Sequence, residues 1–295
     1  GNVTVGGNLK TPLAAWLARA LAARGLKPAI LSRGYGRRRV FFSREPVLVS
    51  CGRGPLASAE IAGDEPYLLA IKTPAFVVVA DQRTRAARLA QSLGAEILIL
   101  DDGFQHLPLA RDVDILSLAG TEPFGNGLPL PAGPLRERLS VGSLANLAVA
   151  TPDCPPNPWG LPQFVAKLEL TGLKTLYSGR AVDLTEAKGL RLAAFCGLAK
   201  PDEFKKSLKA WGLNPIVFRS FPDHARYGRE RIKELAELLR FSRSDWLLTT
   251  PKDAVKLQGL NLPVLVAETA LAPDRPKELL DLLFSLLRAK GHRLG

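Results

Sequence analysis

The chain has 295 residues, of which 46% are hydrophobic and 23% charged, a composition that argues against intrinsic disorder and for a sizeable core. Its 40 Lys and Arg against 28 Asp and Glu leave a formal net charge of +12, which is typical either of a generally basic proteome or of a protein with an anionic partner. Three scattered cysteines argue against a disulfide or zinc framework, and no apolar stretch is long enough for a transmembrane helix.

The first half of the chain alternates short apolar runs with stretches of helical periodicity. The predicted strands are residues 3–5, 28–32, 76–80, 96–100 and 113–118, and the predicted helices are residues 11–23, 62–71 and 83–93. Repeated strand–helix–strand order with continuously apolar strands indicates a parallel sheet that is covered on both faces.

The second half begins with a proline-rich, turn-prone stretch at residues 151–163, and an alternating segment at 164–170 predicts an extended ribbon. The α/β pattern then resumes, with predicted strands at 192–196, 215–218, 246–249 and 264–267 and predicted helices at 201–211, 230–239 and 276–289. We therefore predict two α/β/α sandwich domains joined by a β-ribbon linker. Their bounds are a core domain at 1–160, the linker at 161–190 and a smaller C-terminal α/β domain at 191–295.

A glycine-containing segment joins the first predicted strand to the first predicted helix. It consists of Thr4, Val5, Gly6, Gly7, Asn8, Leu9, Lys10 and Thr11. Backbone N–H groups of such a loop can cradle phosphates, a lysine can reach the β and γ oxygens, and a hydroxyl can hold Mg²⁺. The segment predicts a phosphate-binding loop (P-loop), although Leu9 stands where the usual pattern has glycine. The alternative is a glycine turn that only starts a helix.

Two acidic pairs lie where carboxylates could do chemistry. Asp101 and Asp102 follow the strand at 96–100, at the sheet edge where α/β proteins bind ligands, and such carboxylates can bind Mg²⁺. The alternative there is a helix cap plus a turn residue. Asp64 and Glu65 begin a predicted helix, where carboxylates are common for structural reasons alone. Their functional interpretation is a base or a metal ligand.

Other polar residues follow strands in both halves. His224 lies in a loop next to Asp223, which makes it either a candidate proton acceptor or an ordinary surface histidine. Lys252 lies after the strand at 246–249 and could contact an anionic ligand. Arg33, between a serine and a glycine turn, could bind phosphate.

Taken in order, these segments resemble one family, the tetraacyldisaccharide 4′-kinases of lipid A biosynthesis. The matching segments are residues 1–7 with 10–12, 32–36, 63–66, 100–106 with 111–112, 125–126 with 130–137, 195–199, 221–224 and 248–256. They run along nearly the whole chain, so the resemblance is specific although each segment alone would be weak.

The resemblance implies a first domain with a P-loop NTPase-like parallel sheet and an ATP-dependent, Mg²⁺-requiring lipid-sugar kinase. It implies transfer of the γ-phosphate to the 4′-hydroxyl of an acylated glucosamine disaccharide 1-phosphate, at the cytoplasmic face of the inner membrane. We expect a peripheral association with that membrane surface, and we expect the family's N-terminal hydrophobic anchor to be absent from this chain.

The resemblance also implies roles for individual residues. Lys10 would neutralise the transferring phosphate, Asp64 would be the base with His224 assisting, and the segment from Thr4 to Thr11 would bind the nucleotide. The metal would lie near Thr11, Asp101 and Glu65. The acceptor would contact Asp102, Gln105, His106 and Arg136. Because Asp64 and His224 belong to different predicted domains, we expect a cleft between the domains.

One departure from the family pattern keeps a second hypothesis open. The family has Thr-Gly where this chain has Asn8 and Leu9, and Leu9 could crowd the phosphates or strain the backbone. The alternative is a catalytically impaired relative that binds nucleotide or lipid without turnover. A third hypothesis, an NTPase that acts on nucleic acid, rests on the positive charge alone. We expect no nucleic-acid partner, because no recognised nucleic-acid-binding module occurs.

Overall fold

The computed structural model describes residues 1–6, 9–37, 45–223, 225–257 and 262–292. The predictions for Gly7, Asn8 and His224 therefore concern positions that lie outside the described residues.

The described residues form an α/β structure in which strands and helices alternate. The strands are β1 (Pro28–Ser32), β2 (Val47–Cys51), β3 (Phe76–Val79), β4 (Ile97–Leu100), β5 (Ile115–Leu118), β6 (Leu147–Ala150), β7 (Gln163–Thr175), β8 (Ala181–Val182), β9 (Leu192–Cys196), β10 (Val217–Ser220), β11 (Trp246–Thr249) and β12 (Val264–Pro273). The helices are α1 (Lys10–Ala22), α2 (Ala59–Ala62), α3 (Asp64–Lys72), α4 (Arg83–Ser92), α5 (Leu184–Lys188), α6 (Pro201–Ala210), α7 (Arg229–Ser242), α8 (Pro251–Ala254) and α9 (Pro276–Ala289), with a 3₁₀ helix at Leu139–Leu144.

The first sheet has the strand order β2-β3-β1-β4. Strand β1 pairs in parallel with both β3 and β4, and all five of its residues are buried, as expected for an apolar strand inside a sheet that helices cover. Strand β2 is antiparallel to β3 at the edge. The prediction of a parallel-dominated sheet is confirmed, and the antiparallel edge strand is an addition to it.

The second sheet has the strand order β10-β9-β11-β12-β7-β6-β5, with β8 attached to β7. Strands β9 to β12 are parallel to one another, and β7 continues from β6 in parallel while it pairs antiparallel with β12. The predicted ribbon at 164–170 is thus the first half of the longer strand β7, which pairs with β12. The ribbon joins β5 and β6 to the C-terminal strands, and the domain bounds given above remain a prediction.

The helical periodicity of α1 explains how the two ends of the chain come together. Its residues Leu13, Leu17 and Leu21 recur every fourth position, so they share one face, and all three are buried. That face packs in one apolar cluster with Leu283 and Leu287 of α9. The last helix therefore braces the helix that begins with Lys10.

The predicted strand at residues 3–5 is wrong as a regular strand. Thr4 makes only an isolated bridge to Leu135, and the N–H of Val5 donates to the carbonyl of Pro134 at 2.8 Å. The segment is held by an irregular loop instead of a sheet neighbour. Strands β2 and β6 were not predicted, because four or five apolar residues carry too little periodicity to distinguish a strand from a loop.

None of the helices in the described part of the chain is long and apolar enough to cross a membrane.

A charged cluster ties the first helical layer to the ribbon. The carboxylate of Glu268 on β12 lies 2.8 Å from the ammonium of Lys72 on α3 and 2.5 Å from that of Lys174 on β7. Burial raises the pKa of Glu268, but the two lysines outweigh it and hold the pKa below its ordinary value of 4.5. Burial lowers the pKa of Lys72, and Glu268 opposes that shift. Each side therefore depends on the other.

We predict that Glu268→Gln lowers the free energy of unfolding at pH 7 by about 3 kcal/mol, because it leaves Lys72 buried without its counter-charge. The native pKa of Glu268 is depressed, so its stabilisation is present above pH 4.5 and is lost as the pH falls through the native pKa. Denaturant unfolding at several pH values measures the difference. The control is Glu169→Gln in an exposed pair with Lys167, and equal effects of the two variants would contradict the prediction.

Candidate active site at the strand ends

The carboxyl end of β4 and the first turn of α1 meet at one edge of the first sheet. Asp101 and Asp102 follow β4 directly, and Lys10 and Thr11 begin α1. The hydroxyl of Thr11 donates to Oδ2 of Asp101 at 3.3 Å. The ends of parallel strands are where α/β proteins bind ligands, and this edge brings together the predicted P-loop and the predicted metal ligands.

The ammonium of Lys10 lies among acceptors. It donates to Oδ1 of Asn2 and to the carbonyl of Gly6, both at 3.1 Å, and lies 3.3 Å from Oδ1 of Asp102. Gly6 has φ +82°, a left-handed conformation that favours glycine. Burial lowers the pKa of Lys10, and Asp102 opposes that shift. Lys10 therefore lies in a site where an anionic ligand could replace its present acceptors.

The pKa values of the two adjacent aspartates are shifted in opposite directions. Asp101 is buried, and its burial, with the nearby charges of Glu65 and Asp102, raises its pKa to about 7. Burial also acts on Asp102, but Lys10 and Arg136 hold the pKa of that carboxyl below its usual range. Two neighbouring carboxylates repel unless a cation is near. Basic residues thus favour the charged form of Asp102, whereas burial and neighbouring carboxylates favour the neutral form of Asp101.

Asp101 has the features of a cation ligand. Its Oδ1 is buried and has no hydrogen-bond partner, while Oδ2 accepts from Thr11. Glu65 is close enough to raise its pKa. Among the described residues no group of three or more His, Cys, Asp and Glu side chains could hold a metal ion by itself. Mg²⁺ is commonly held by one or two carboxylates together with waters and substrate phosphates, so the residues present fit Mg²⁺ bound with a nucleotide.

Leu9 does not strain the P-loop. Its φ of −93° and ψ of −20° are right-handed helical values, and its carbonyl accepts the first helical hydrogen bond from Leu13 at 2.8 Å. Its side chain is 2% exposed and packs in the same core cluster as Leu13 and Leu17. The expectation that Leu9 strains its backbone is therefore wrong, whereas the expectation that it crowds the phosphates stays a prediction. A leucine fits here because the position belongs to the start of the helix and faces the core.

The residues predicted to contact an acceptor form one hydrogen-bonded group. Nη1 of Arg136 donates to both carboxylate oxygens of Asp102 at 2.9 Å and to Oε1 of Gln105 at 3.2 Å. The amide of Gln105 donates in turn to the carbonyl of Asn2. The backbone N–H of Arg136 donates to the carbonyl of Val3. These bonds link the residues predicted to contact the acceptor to the segment before the predicted P-loop.

His106 lies beside several arginines. Its Nε2 is buried and without a hydrogen-bond partner, and burial together with Arg83, Arg33 and Arg111 lowers its pKa. Arg83, on α4, is almost fully buried and donates to the carbonyl of Asp101 at 2.7 Å. Its Nε and Nη1 atoms have no hydrogen-bond partner. These unpartnered nitrogens lie close to the end of β4 and could donate to an anionic group.

The second part of the chain reaches the site through two lysines. Nζ of Lys256 lies 3.0 Å from Oδ2 of Asp64, and Nζ of Lys252 lies 3.7 Å from Glu65 and 3.1 Å from Asp223. Asp64 and Glu65 form the first turn of α3, whereas the lysines belong to α8 and the residues after it. Ion pairs therefore join α3 to α8 and to the residues after α8, while the cleft expected between the N-terminal and C-terminal parts stays a prediction.

Asp253 connects the loops that follow β9 and β11. Its fully buried carboxylate accepts from the hydroxyl of Tyr227 at 2.9 Å, from the hydroxyl of Thr250 at 2.8 Å and from the N–H of Gly197 at 3.1 Å. Burial and the charge of Asp253 raise the pKa of Tyr227. Asp253 thereby joins the ends of β9 and β11 to the segment that follows position 224.

Five residues near the site had no predicted functional role, namely Asn2, Arg83, Tyr227, Asp253 and Lys256. Asn2 and Arg83 could have been suspected because each is a polar residue next to an apolar run. Lys256 closes the segment 248–256 that matches the family, but its contact with Asp64 joins positions that are far apart in the sequence.

The profile of the family described as tetraacyldisaccharide-1-P 4′-kinase (LpxK) matches residues 1–288 of this chain. A tetraacyldisaccharide 4′-kinase of Pelobacter propionicus is 40% identical over 98% of this chain and 82% of its own length. The enzyme of the same name from Geobacter metallireducens is 42% identical over 87% of this chain and 77% of its own length.

A solved structure has the same fold. The crystal structure of LpxK from Aquifex aeolicus in complex with ATP superimposes with a TM-score of 0.78 at 34% sequence identity, covering 97% of this chain and 86% of the other. The expected fold class is therefore confirmed.

We predict that Leu9→Ala lowers the free energy of unfolding by about 3 kcal/mol, because it leaves a cavity in the core cluster. We expect no gain in ATP affinity, since the side chain faces away from the loop. Denaturant unfolding and a nucleotide-binding titration measure the two quantities. Leu144→Ala, at a leucine that is 73% exposed, is the control. Tighter ATP binding without loss of stability would show that Leu9 obstructs the phosphates.

Proposed function

This chain belongs to the tetraacyldisaccharide 4′-kinase family, and from that premise we propose how it acts on its acceptor. It is an ATP-dependent kinase of lipid A biosynthesis. The acceptor is the 4′-hydroxyl of a tetraacylated glucosamine disaccharide 1-phosphate, which receives the γ-phosphate. The observation that carries the proposal is the position of Lys10 among Asn2, Gly6 and Asp102.

Lys10 and the loop before it bind the triphosphate. Phosphoryl transfer depends mainly on positioning and on neutralising the charge of the transferring group. The ammonium of Lys10 exchanges Asp102 for phosphate oxygens, and Arg136 keeps Asp102 compensated during the exchange. The start of α1 adds positive potential toward the phosphates. The nucleotide-binding segment is residues 4–11.

Thr11, Asp101 and Glu65 would hold Mg²⁺ together with the phosphates. When bound, Mg²⁺ neutralises developing charge on the phosphate oxygens. The free Oδ1 of Asp101 and its raised pKa, about 7, support this role, because a cation would relieve the repulsion from Glu65 and Asp102. Thr11 orients Asp101 through its hydroxyl.

Asp64 is the base for the sugar hydroxyl. A hydroxyl is a weak nucleophile, so a carboxylate within hydrogen-bond reach aligns it and accepts its proton. Nζ of Lys256 lies 3.0 Å from Oδ2 of Asp64 and holds that carboxylate at the start of α3. His224 assists by sharing the proton load, and Asp253 and Tyr227 hold the segment that follows it.

The acceptor binds beside Asp102, Gln105, His106 and Arg136. Arg83 and His106 have buried nitrogen atoms with no hydrogen-bond partner, which favours an anionic group beside them. The phosphate of the acceptor is such a group. Because the acceptor is a lipid, the protein works as a peripheral protein at the cytoplasmic face of the inner membrane. The alternative of an impaired relative rested on Leu9, whose helical conformation and core packing give it no support.

We predict that Asp64→Asn lowers kcat on the order of 10²-fold or more, because it removes proton acceptance, while ATP affinity changes little. Lys10→Ala should lower both kcat and ATP affinity, since Lys10 contacts the phosphates in both states. The assay measures transfer of label from [γ-³²P]ATP to the lipid disaccharide 1-phosphate, with ATP binding measured separately.

The control is Asp281→Asn, an exposed aspartate 4.0 Å from Arg24, which should leave both quantities unchanged. His224→Gln should lower kcat more than ATP binding. Absence of label in the lipid with the wild-type protein would refute the kinase assignment, whereas unchanged turnover in Asp64→Asn would refute only the role of the base.

A further inference from the structure

An exposed apolar loop lies next to the site and is not used by the chemistry above. Residues 123–135 contain no charged side chain, and the five successive residues at 128–132 are Leu, Pro, Leu, Pro and Ala. All five are exposed, with Leu128 at 49% and Leu130 at 58%. Exposed single leucines are common on proteins, but a continuous run of this kind marks an interaction surface.

The 128–132 loop is held in place by its own hydrogen bonds. The N–H of Leu130 donates to the carbonyl of Leu135, and the N–H of Leu135 donates to the carbonyl of Leu128. The side chain of Asn126 accepts from the N–H of Leu128 and donates to the carbonyl of Ala132. Because these bonds satisfy the backbone within the loop, the apolar side chains stay outside without a cost in unpaired polar groups.

The loop is connected directly to the active site. Leu135, at its base, is fully buried and bridges to Thr4. Val5, in the same segment, is 55% exposed and donates to the carbonyl of Pro134. Arg136, which holds Asp102, is the next residue after the loop base. A partner that contacts the 128–132 loop therefore lies close to the proposed acceptor site.

We propose that the 128–132 loop inserts its leucines into the lipid bilayer that carries the acceptor, and so positions the active site at the membrane surface. The inference rests on the proposed function, because only a lipid acceptor places a bilayer next to this site. The loop is continuous with that site. The net charge of +12 also matches an anionic bilayer.

The small size of the loop favours a bilayer over a second copy of the chain. A stable protein interface uses roughly 20–30 residues on each side. Five residues at a loop tip fall well short of that number, whereas a few apolar side chains in the interfacial region contribute substantially to bilayer binding.

The test compares Leu128→Gln/Leu130→Gln with the wild-type chain in sedimentation with vesicles. One set of vesicles is phosphatidylethanolamine with phosphatidylglycerol, and the other is pure phosphatidylcholine. Glutamine removes the apolar surface without adding charge. The matched control is Ile216→Gln/Phe241→Gln, which removes two side chains that are 53% and 74% exposed elsewhere in the chain. ATP affinity reports whether each variant is folded.

We expect the loop variant to bind both kinds of vesicle about tenfold or more weakly than wild type, because two leucines lose their apolar contact. Its KM should rise for acceptor presented in vesicles, while turnover of acceptor in detergent micelles and ATP affinity stay unchanged. The control variant should behave as wild type in all four measurements.

Vesicle binding equal to that of wild type would overturn the proposal, and so would a wild-type chain that turns over acceptor in micelles without binding vesicles. Loss of a wild-type dimer in the loop variant would also overturn it, in favour of a protein interface. Absence of turnover in both presentations, with vesicle binding lost only in the loop variant, would support the membrane contact and reject the kinase function instead.

Discussion

The ion pair between Lys10 and Asp102 is the interaction on which the organisation of the site depends. It joins the first turn of α1 to the end of β4, and Arg136 and Asn2 extend it to the loops on either side. Lys10 is buried enough that its pKa is lowered, so the charged form needs a counter-charge. Asp102 supplies that charge in this structure, and in the proposed mechanism the triphosphate would supply it once a nucleotide binds. Lys10 would then have a counter-charge at both stages, first from Asp102 and then from the phosphates.

A second group of charges lies around Asp101, Glu65 and Asp64. Burial, together with the charges of Glu65 and Asp102, raises the pKa of Asp101 to about 7. Lys252 and Lys256, from the C-terminal part, approach Glu65 and Asp64. In the proposed mechanism Mg²⁺ would compensate Asp101 and Glu65, while the lysines of the C-terminal part pair with Glu65 and Asp64.

Much of the fold and part of the site could be predicted from the sequence. The apolar strands β1, β3 and β4 and the helix α1 were predictable, because apolar runs and periodicity indicate secondary structure. The proximity of Thr11 and Asp101 was implied by the family resemblance, which placed both residues near the metal. The conformation of Leu9 was not predictable, because a motif does not say whether a residue belongs to the loop or to the helix. The contact of Lys256 with Asp64 depends on packing between distant segments, which local patterns do not encode. The irregular segment at residues 3–5 was missed for the same reason.

The most direct test of this account is a crystal structure of the chain with Mg²⁺ and a non-hydrolysable ATP analogue. We predict that Nζ of Lys10 leaves Asp102 and contacts the β- and γ-phosphate oxygens. Arg136 should remain on Asp102, and Oδ1 of Asp101 should face the metal. A structure in which Lys10 still pairs with Asp102 while the triphosphate lies elsewhere would contradict it.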